Sequence, residues 1–139
     1  MSLKQLTVFV KNEQGALVAI TELLAEKGVN IRALSIADTE EFGILRLIVN
    51  DNATALKTLA EEGYLIKTTD VVGVKIGDAP GKLSKALNVL DQNGINMEYL
   101  YAFMSRTEKH AYVVLRVADN LAAETALEKE GFHLITDAD

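Results

Sequence analysis

At 139 residues, with 49% hydrophobic and 24% charged residues, the chain has the balance of a globular protein and can bury a core. Its net charge of −6 is opposite in sign to what nucleic acid or an anionic membrane surface attracts, so neither is expected as a partner. The absence of cysteine excludes disulfides and thiolate chemistry, and without a signal pattern or an apolar run near ~18 residues the chain is predicted to be cytoplasmic.

The first half of the chain alternates between β-like and helix-like stretches. Residues 6–10 are β-branched and aromatic, and from Ala16 apolar residues recur at helical spacing until Gly28, where the helix is expected to end. Two strands joined by a hairpin loop, a helix between Asp51 and Gly63, and a last strand at 64–66 follow. The order is β-α-β-β-α-β, the split βαβ arrangement of ferredoxin-like folds.

The second half repeats this order with the same turn and cap residues. The repeat offset is 66 as far as Leu34/Leu100 and 68 from Leu47/Leu115 onward, which predicts a two-residue insertion near loop 105–109. Matching residues in this register are Val8/Val74, Gly15/Gly81, Leu24/Leu90, Gly28/Gly94, Asn30/Asn96, Asp51/Asp119, Asn52/Asn120 and Gly63/Gly131. We therefore predict two α+β units at 1–68 and 69–139, held close by the linker Lys67–Thr69, which has neither proline nor glycine.

Each copy carries the same kind of turn between its first strand and first helix. A helix N-terminus has N–H groups without internal partners and a positive dipole, so it can hold a carboxylate without a cationic side chain. Gly15 and Gly81 leave out the Cβ that would obstruct a ligand near the backbone, and Asn12 or Asp78 could take an ammonium group. These features suit a free amino acid. The alternative is that the glycines and the polar residues serve only the turn and the cap.

The paired segments resemble the ACT domain, a small regulatory module of order βαββαβ. The resemblance is carried by Asn12–Leu17 and Asp78–Leu83, which open the first helix of each copy, and by residues 28–31 and 94–97, which enter the second strand. It implies antiparallel sheets with helices on one face, joined side by side through strands 32–38 and 98–104 into an eight-stranded sheet. It further implies that the chain binds amino acids where modules meet, for allosteric control of amino-acid metabolism.

The resemblance also implies which residues form the ligand site, namely the turn of one module and the strand-entry segment of its neighbour. In the first copy these are Asn12, Gln14, Gly15, Ala16, Leu17, Asn30 and Ile31. In the second copy they are Asp78, Ala79, Pro80, Gly81, Lys82, Leu83, Asn96 and Met97. Gln14 stands where the second copy has Pro80. This difference favours the second turn as the working site. Asn30 and Asn96 follow helix-ending glycines and are explained equally well as turn residues.

The sequence offers no catalytic or metal-binding cluster, and no cofactor is expected. His110 and His133 fall on different predicted elements without a carboxylate at metal-ligand spacing, so a structural or solvent-exposed role is favoured for both. The alternatives to an amino-acid sensor are an enzyme on the same fold and an interaction module that uses the face of Tyr99, Tyr101 and Phe103. A third is a ligand-free regulatory subunit of an acetolactate synthase-like or aspartate kinase-like enzyme. An apolar sheet face that the helices leave uncovered predicts a homodimer.

Overall fold

The computed structural model describes residues 3–38, 42–105 and 109–136, with only the backbone described at residues 38 and 103–105. Within these residues the elements follow the predicted order twice. They are β1 (Leu3–Lys11), α1 (Ala16–Glu26), β2 (Ile31–Asp38), β3 (Phe42–Val49), α2 (Asn52–Glu61), β4 (Leu65–Gly77), α3 (Lys82–Gln92), β5 (Met97–Ser105), β6 (His110–Val117), α4 (Asn120–Lys129) and β7 (His133–Ile135). No helix in the described ranges is long and apolar enough to cross a membrane.

The predicted linker is part of a strand. β4 runs without interruption from Leu65 to Gly77, so the last strand of the first copy and the first strand of the second are one element. Lys67, Thr68 and Thr69 allow this because none of them breaks a strand and threonine favours extended backbone. The expectation of eight strands is therefore corrected to seven in the described chain.

The chain forms two compact units, one of residues 4–69 and one that begins at Asp70 and includes Leu3. In the first unit β3 pairs antiparallel with both β1 and β2, and Val8 lies opposite Leu45. In the second unit β6 pairs antiparallel with both β4 and β5, and β7 adds to β4. β2 is hydrogen-bonded to β3, and β5 is hydrogen-bonded to β6. The expected joining of β2 to β5 is thus absent from the pairings of the described strands.

The offset between the two copies changes where the sequence predicts it. β5 begins 66 residues after β2, at 97 against 31, and β6 begins 68 residues after β3, at 110 against 42. The two extra residues therefore lie between residue 104, the counterpart of 38, and residue 110, the counterpart of 42, and one of them lengthens β5. Residues 106–108 of this segment lie outside the described residues.

Each unit has its own core between one sheet face and two helices. In the first unit Leu6, Val8 and Val10 of β1 pack with Ile20 and Leu24 of α1. The second unit repeats this with Val72, Val74 and Ile76 of β4 against Ala86 and Leu90 of α3. Alternate strand residues share a face, so these positions direct every second side chain toward the helices. Each fully buried leucine contributes about 1.5–3 kcal/mol to the unit that holds it.

Two helices bury only part of the face that the apolar spacing predicts. In α2 that face is Leu56, Leu59 and Ala60; Leu59 is buried, whereas Leu56 is 39% exposed and Ala60 is exposed, and Ala55 and Thr58 are buried in their place. In α3 the predicted face is Leu83, Leu87 and Leu90; Leu90 is buried and Leu87 packs against the core, whereas Leu83 is 38% exposed. Small side chains such as Ala55 and Ala86 supply part of the contact instead.

The expected bare apolar surface lies at a sheet edge and not on the face away from the helices. On the far face, Thr7 and Ile48 of the first unit and Val114 of the second are buried. The exposed apolar pair is Leu34 and Ile36 of edge strand β2, at 48% and 51% exposure. These two pair with residues of the helix-facing core, so they lie on the helix side of the sheet, beyond the cover of the helices.

Candidate ligand site at the strand-to-helix turns

The two strand-to-helix turns have the same backbone geometry. In the first turn (residues 12–15), Gly15 has φ 87° and ψ −9° and the Ala16 N–H donates to the Glu13 carbonyl at 3.3 Å. In the second turn (residues 78–81), Gly81 has φ 88° and ψ −9° and the Lys82 N–H donates to the Ala79 carbonyl at 3.2 Å. This is the third-position conformation of a type II turn, which favours glycine there and proline just before it. The Pro80–Gly81 pair fits this requirement.

The two glycines are needed for their conformation and not to relieve crowding. A Cβ placed at Gly15 or at Gly81 would meet no heavy atom within 4 Å. The positive φ alone disfavours any other residue. The left-handed backbone is therefore one requirement for glycine; that glycine also makes room for a ligand stays a prediction, and the space in front of each turn is open.

The helices that follow these turns begin without a side-chain cap. Gly15 and Gly81 occupy the N-cap positions of α1 and α3 and make no side-chain hydrogen bond there. By contrast, Asp51 accepts from the Thr54 N–H at 3.1 Å at the start of α2, and Asp119 does the same for Ala122 at the start of α4. The Thr54 hydroxyl and N–H also hold the pKa of Asp51 below its usual value. The N–H groups of Ala16 and Lys82 are used by the turns themselves, and those that follow in α1 and α3 have no N-cap side chain to accept from them.

Two cavities lie beside the first turn, within the first unit. The larger, the first cavity, has a volume of about 600 Å³ and is lined by Gln14, Gly15 and Ala16, together with the α2–β4 connection. The smaller has a volume of about 260 Å³ and is lined by Asn12, Ala16 and Leu17, with Ile36 of β2 on its other side. The structure thus brings the five predicted turn residues of the first copy to the walls of two adjoining cavities.

A matching cavity, the second cavity, lies in the second unit and measures about 440 Å³. Nine of its ten lining residues are the counterparts of residues that line the first cavity, the exception being His110, while the counterparts of Glu13, Gln14 and Gly15 do not line it. Of the residues predicted for the second copy, Lys82 lines this cavity, while Asp78, Ala79, Pro80 and Gly81 form the exposed turn beside it. His110 and His133, which we had assigned no ligand role, both line it because β6 and β7 flank β4.

The strand-entry segments lie away from the turns of their own unit. Gly15 precedes α1 and Asn30 follows it, and eleven helical residues separate them by about 16 Å. The Asn30 N–H donates to Asn50 Oδ1 at 2.8 Å, and the Asn50 N–H donates to the Asn30 carbonyl at 3.1 Å. Asn30 therefore anchors the start of β2 through its backbone. A site that uses both a turn and a strand-entry segment needs a second module.

The remaining candidates have structural surroundings. Ile31 and Met97 are half-buried against the cores of their units. Tyr99 and Tyr101 are also half-buried, and the side chain of Phe103 lies outside the described residues. No group of three or more histidine, aspartate or glutamate residues in the described ranges is arranged to hold a metal ion.

The chain is thus a pair of small ferredoxin-like modules in tandem. In each module the first helix follows a glycine in the left-handed conformation and has no side-chain cap. The family model of the ACT domain pair matches residues 1–139, so the chain belongs to that family. The resemblance seen in the sequence is confirmed.

Individual relatives agree with this assignment. The chain superposes on the crystal structure of a Bacteroides thetaiotaomicron protein with a TM-score of 0.92 and 37% identity, covering 97% of this chain and 92% of that one. The ligand-free regulatory subunit of aspartate kinase from Thermus thermophilus shares the fold, with a TM-score of 0.70 and 19% identity over 94% of both chains. In sequence, 69 residues are 38% identical to the acetolactate synthase small subunit of Aquifex aeolicus, covering 48% of this chain. That match spans 36% of the Aquifex protein, about a third of its length.

Proposed function

We propose that this protein is a non-catalytic regulatory protein that binds a free amino acid at its strand-to-helix turns. The observation that carries the proposal is the pair of uncapped helix N-termini, each behind a left-handed glycine and beside a cavity. The free N–H groups and the helix dipole suit the carboxylate of an amino acid. Asn12 or Asp78, exposed at the start of each turn, suits its ammonium group.

The complete site is formed between two modules. One module supplies its turn, and its neighbour supplies Asn30–Ile31 or Asn96–Met97, since within a unit these segments lie about 16 Å from the turn. A homodimer provides such a neighbour, and the exposed Leu34 and Ile36 give it an apolar contact surface. Ligand binding then favours one arrangement of the modules over another, which is the basis of allosteric control.

The partner that receives this control is a metabolic enzyme. The supporting facts are the named relatives, a small subunit of acetolactate synthase and a regulatory subunit of aspartate kinase. Both names belong to subunits of enzymes of amino-acid biosynthesis. We propose that this chain acts on an enzyme of that class.

Thermal melts in the presence of each of the twenty amino acids test the proposal. A ligand at a hundredfold excess over its dissociation constant stabilises the folded state by about 2.7 kcal/mol, which raises the melting temperature by several degrees. Gly81→Val should abolish the shift if the second turn is the site. Gly77→Ala, four residues away, should preserve it. A panel in which no amino acid changes the melting temperature would contradict the proposal.

A second candidate function is a protein-interaction module without its own ligand. The exposure of Leu34 and Ile36 on the edge strand β2 favours it, because an apolar strand edge is a pairing surface. It predicts that Ile36→Lys disrupts association with the partner while no amino acid shifts the melt. In an amino-acid sensor, by contrast, at least one amino acid shifts the melting temperature of the wild type.

A further inference from the structure

The second cavity collects positive charge in a chain that is acidic overall. The protein carries 14 lysines and arginines against 20 aspartates and glutamates. The cationic or protonatable residues that line this one cavity are Lys75, Lys82, Lys85, His110 and His133. Glu130 is the acidic residue among its lining side chains. The five residues come from β4, α3, β6 and β7, and the fold brings them together across 58 positions of sequence, from 75 to 133.

The first cavity shows that the fold does not need these charges. The residues at the five equivalent positions are Phe9, Ala16, Ala19, Phe42 and Leu65, and all of them line the first cavity or contact a residue that does. In place of Lys75 and His110, Phe9 and Phe42 stack edge to face with ring centroids 5.9 Å apart. Every cationic position of the second cavity is thus apolar in its twin. The same backbone is built in both units, so the change in charge serves something other than folding.

The charged arrangement is also unfavourable by itself. Lys82 is the first residue of α3 and Lys85 lies one turn on, so both ammonium groups sit at the positive end of the helix dipole. In the described part of the chain neither of these lysines has an ion-pair or hydrogen-bonding side-chain partner. The ammonium group of Lys75 lies 5.9 Å from the centre of the Tyr112 ring. An anion in the cavity would offset this repulsion.

His110 also differs in polarity from its counterpart in the first unit. It lines the second cavity, and its Nδ1 atom is buried without a hydrogen-bond partner. Buried polar atoms without a partner are rare in native proteins because each one costs free energy. Phe42, its counterpart in the first unit, has no polar atom to satisfy.

We propose that the second cavity binds a small multivalent oxyanion, a metabolite that carries a phosphate group or two carboxylates. The volume of about 440 Å³ is within the range of small-molecule sites. Lys82 and Lys85 bind the anion by charge-assisted contacts from α3, and Lys75 and His110 do so from the sheet. The first cavity does not bind this ligand. The inference goes beyond the amino-acid proposal, since it concerns a second class of ligand held by cationic side chains, although the two proposals share Lys82 and the second cavity.

The test uses isothermal calorimetry of the full chain with inorganic phosphate, sulfate, succinate and citrate as probes, at constant ionic strength set by NaCl. At least one probe should bind saturably with one site per chain. A preference for phosphate and sulfate would indicate a phosphorylated ligand, and a preference for succinate and citrate a carboxylated one. If no probe binds saturably up to about 10 mM, which corresponds to very weak affinity, the proposal is wrong.

The matched variant replaces the two helix lysines with the residues that the first cavity carries. Lys82→Ala with Lys85→Ala should weaken binding at least about tenfold, because each charge-assisted hydrogen bond supplies roughly that factor. The control pair, Lys27→Ala with Lys57→Ala, changes the net charge equally on the exposed surface of the first unit and should leave the affinity unchanged. Equal losses in both pairs would reveal general charge attraction and overturn the assignment.

The same variants have a readout that needs no ligand. Without a multivalent anion, the protein with Lys82→Ala and Lys85→Ala should melt at or above the wild-type temperature, since it removes two cations from a positive helix end. A variant that melts well below wild type in NaCl alone would mean that the lysines stabilise the fold directly. That result would contradict the proposal.

Discussion

The left-handed conformation of the turn glycines predicts how much folding stability is lost when either glycine is replaced. Gly81 has φ 88°, and a Cβ there would meet no heavy atom within 4 Å. Gly81→Ala should therefore cost the left-handed penalty of about 1–2 kcal/mol, with no clash added. With a urea dependence of about 2 kcal/mol per molar, the unfolding midpoint of the second unit should fall by roughly 0.5–1 M. Gly15→Ala should have the same effect on the first unit.

Gly77→Ala is the matched control for this measurement. Its φ is not in the left-handed region, and an added Cβ would lie 3.4–3.6 Å from the flexible side chain of Lys82. Lys11 occupies the equivalent position in the first unit, so the backbone there accepts a side chain. We expect this variant to be neutral or up to about 1 kcal/mol more stable. If Gly81→Ala were equally neutral, the turn would not have the conformation on which the open helix N-terminus depends.

Three further predictions concern stability and association. Gly73→Ala should destabilise the second unit by about 1–3 kcal/mol in urea unfolding, because its Cβ would lie 2.9 Å from Leu3 Cδ2 and 3.1 Å from Ile135 Cβ. The same change should cost less in a Leu3→Ala background, and an equal cost there would implicate a different contact. Burial raises the pKa of Glu124 above its ordinary value of 4.5, so the folded state disfavours the charged form and the stability of the wild type falls as pH rises through the raised pKa. Glu124→Gln should therefore be more stable than wild type in thermal melts at pH 7 and equal to it near pH 4, and a difference that grew toward low pH would contradict this sign. Leu34→Lys with Ile36→Lys should shift the protein toward the monomer in analytical ultracentrifugation, whereas an unchanged mass would exclude this edge of β2 as the dimer contact.

The parts of the fold that were predicted correctly depend on local chemistry. Gly28 follows the end of α1 in a left-handed conformation, and Asp51 and Asp119 cap their helices as expected. A positive φ or an orphan N–H group restricts one position to a few residue types, so the residue itself reveals the requirement. Because such turn and cap residues recur in one register, the repeat could be recognised from the sequence.

The incorrect predictions involve choices that neighbours in space decide. Leu56 was expected inside α2, but Ala55 and Thr58 are buried instead. A ten-residue helix with two leucines is compatible with more than one inner face, and the packing of the unit selects between them. Lys67–Thr69 looked like a linker because it separates two strand patterns. It continues as strand because nothing in it interrupts extended backbone.

The cationic cavity was missed because its residues are dispersed along the chain. Lys75, Lys82 and Lys85 each look like an ordinary surface lysine, and His110 and His133 lie on separate elements. The signal was present in the repeat itself. Comparing the two copies position by position shows an apolar residue replaced by a cation or histidine at six positions, and the fold gathers five of them at one cavity, the exception being Ile48/Arg116.

An NMR titration tests the central claim, amino-acid binding at the strand-to-helix turns, most directly. The amide signals of the full ¹⁵N-labelled chain should be followed as the amino acid that gives the largest thermal shift is added. The account predicts that the largest saturable changes occur at residues 15–18 or 81–84, where the uncapped N–H groups of α1 and α3 receive the carboxylate. Saturable changes confined to other parts of the two units, with those amides unmoved, would contradict it.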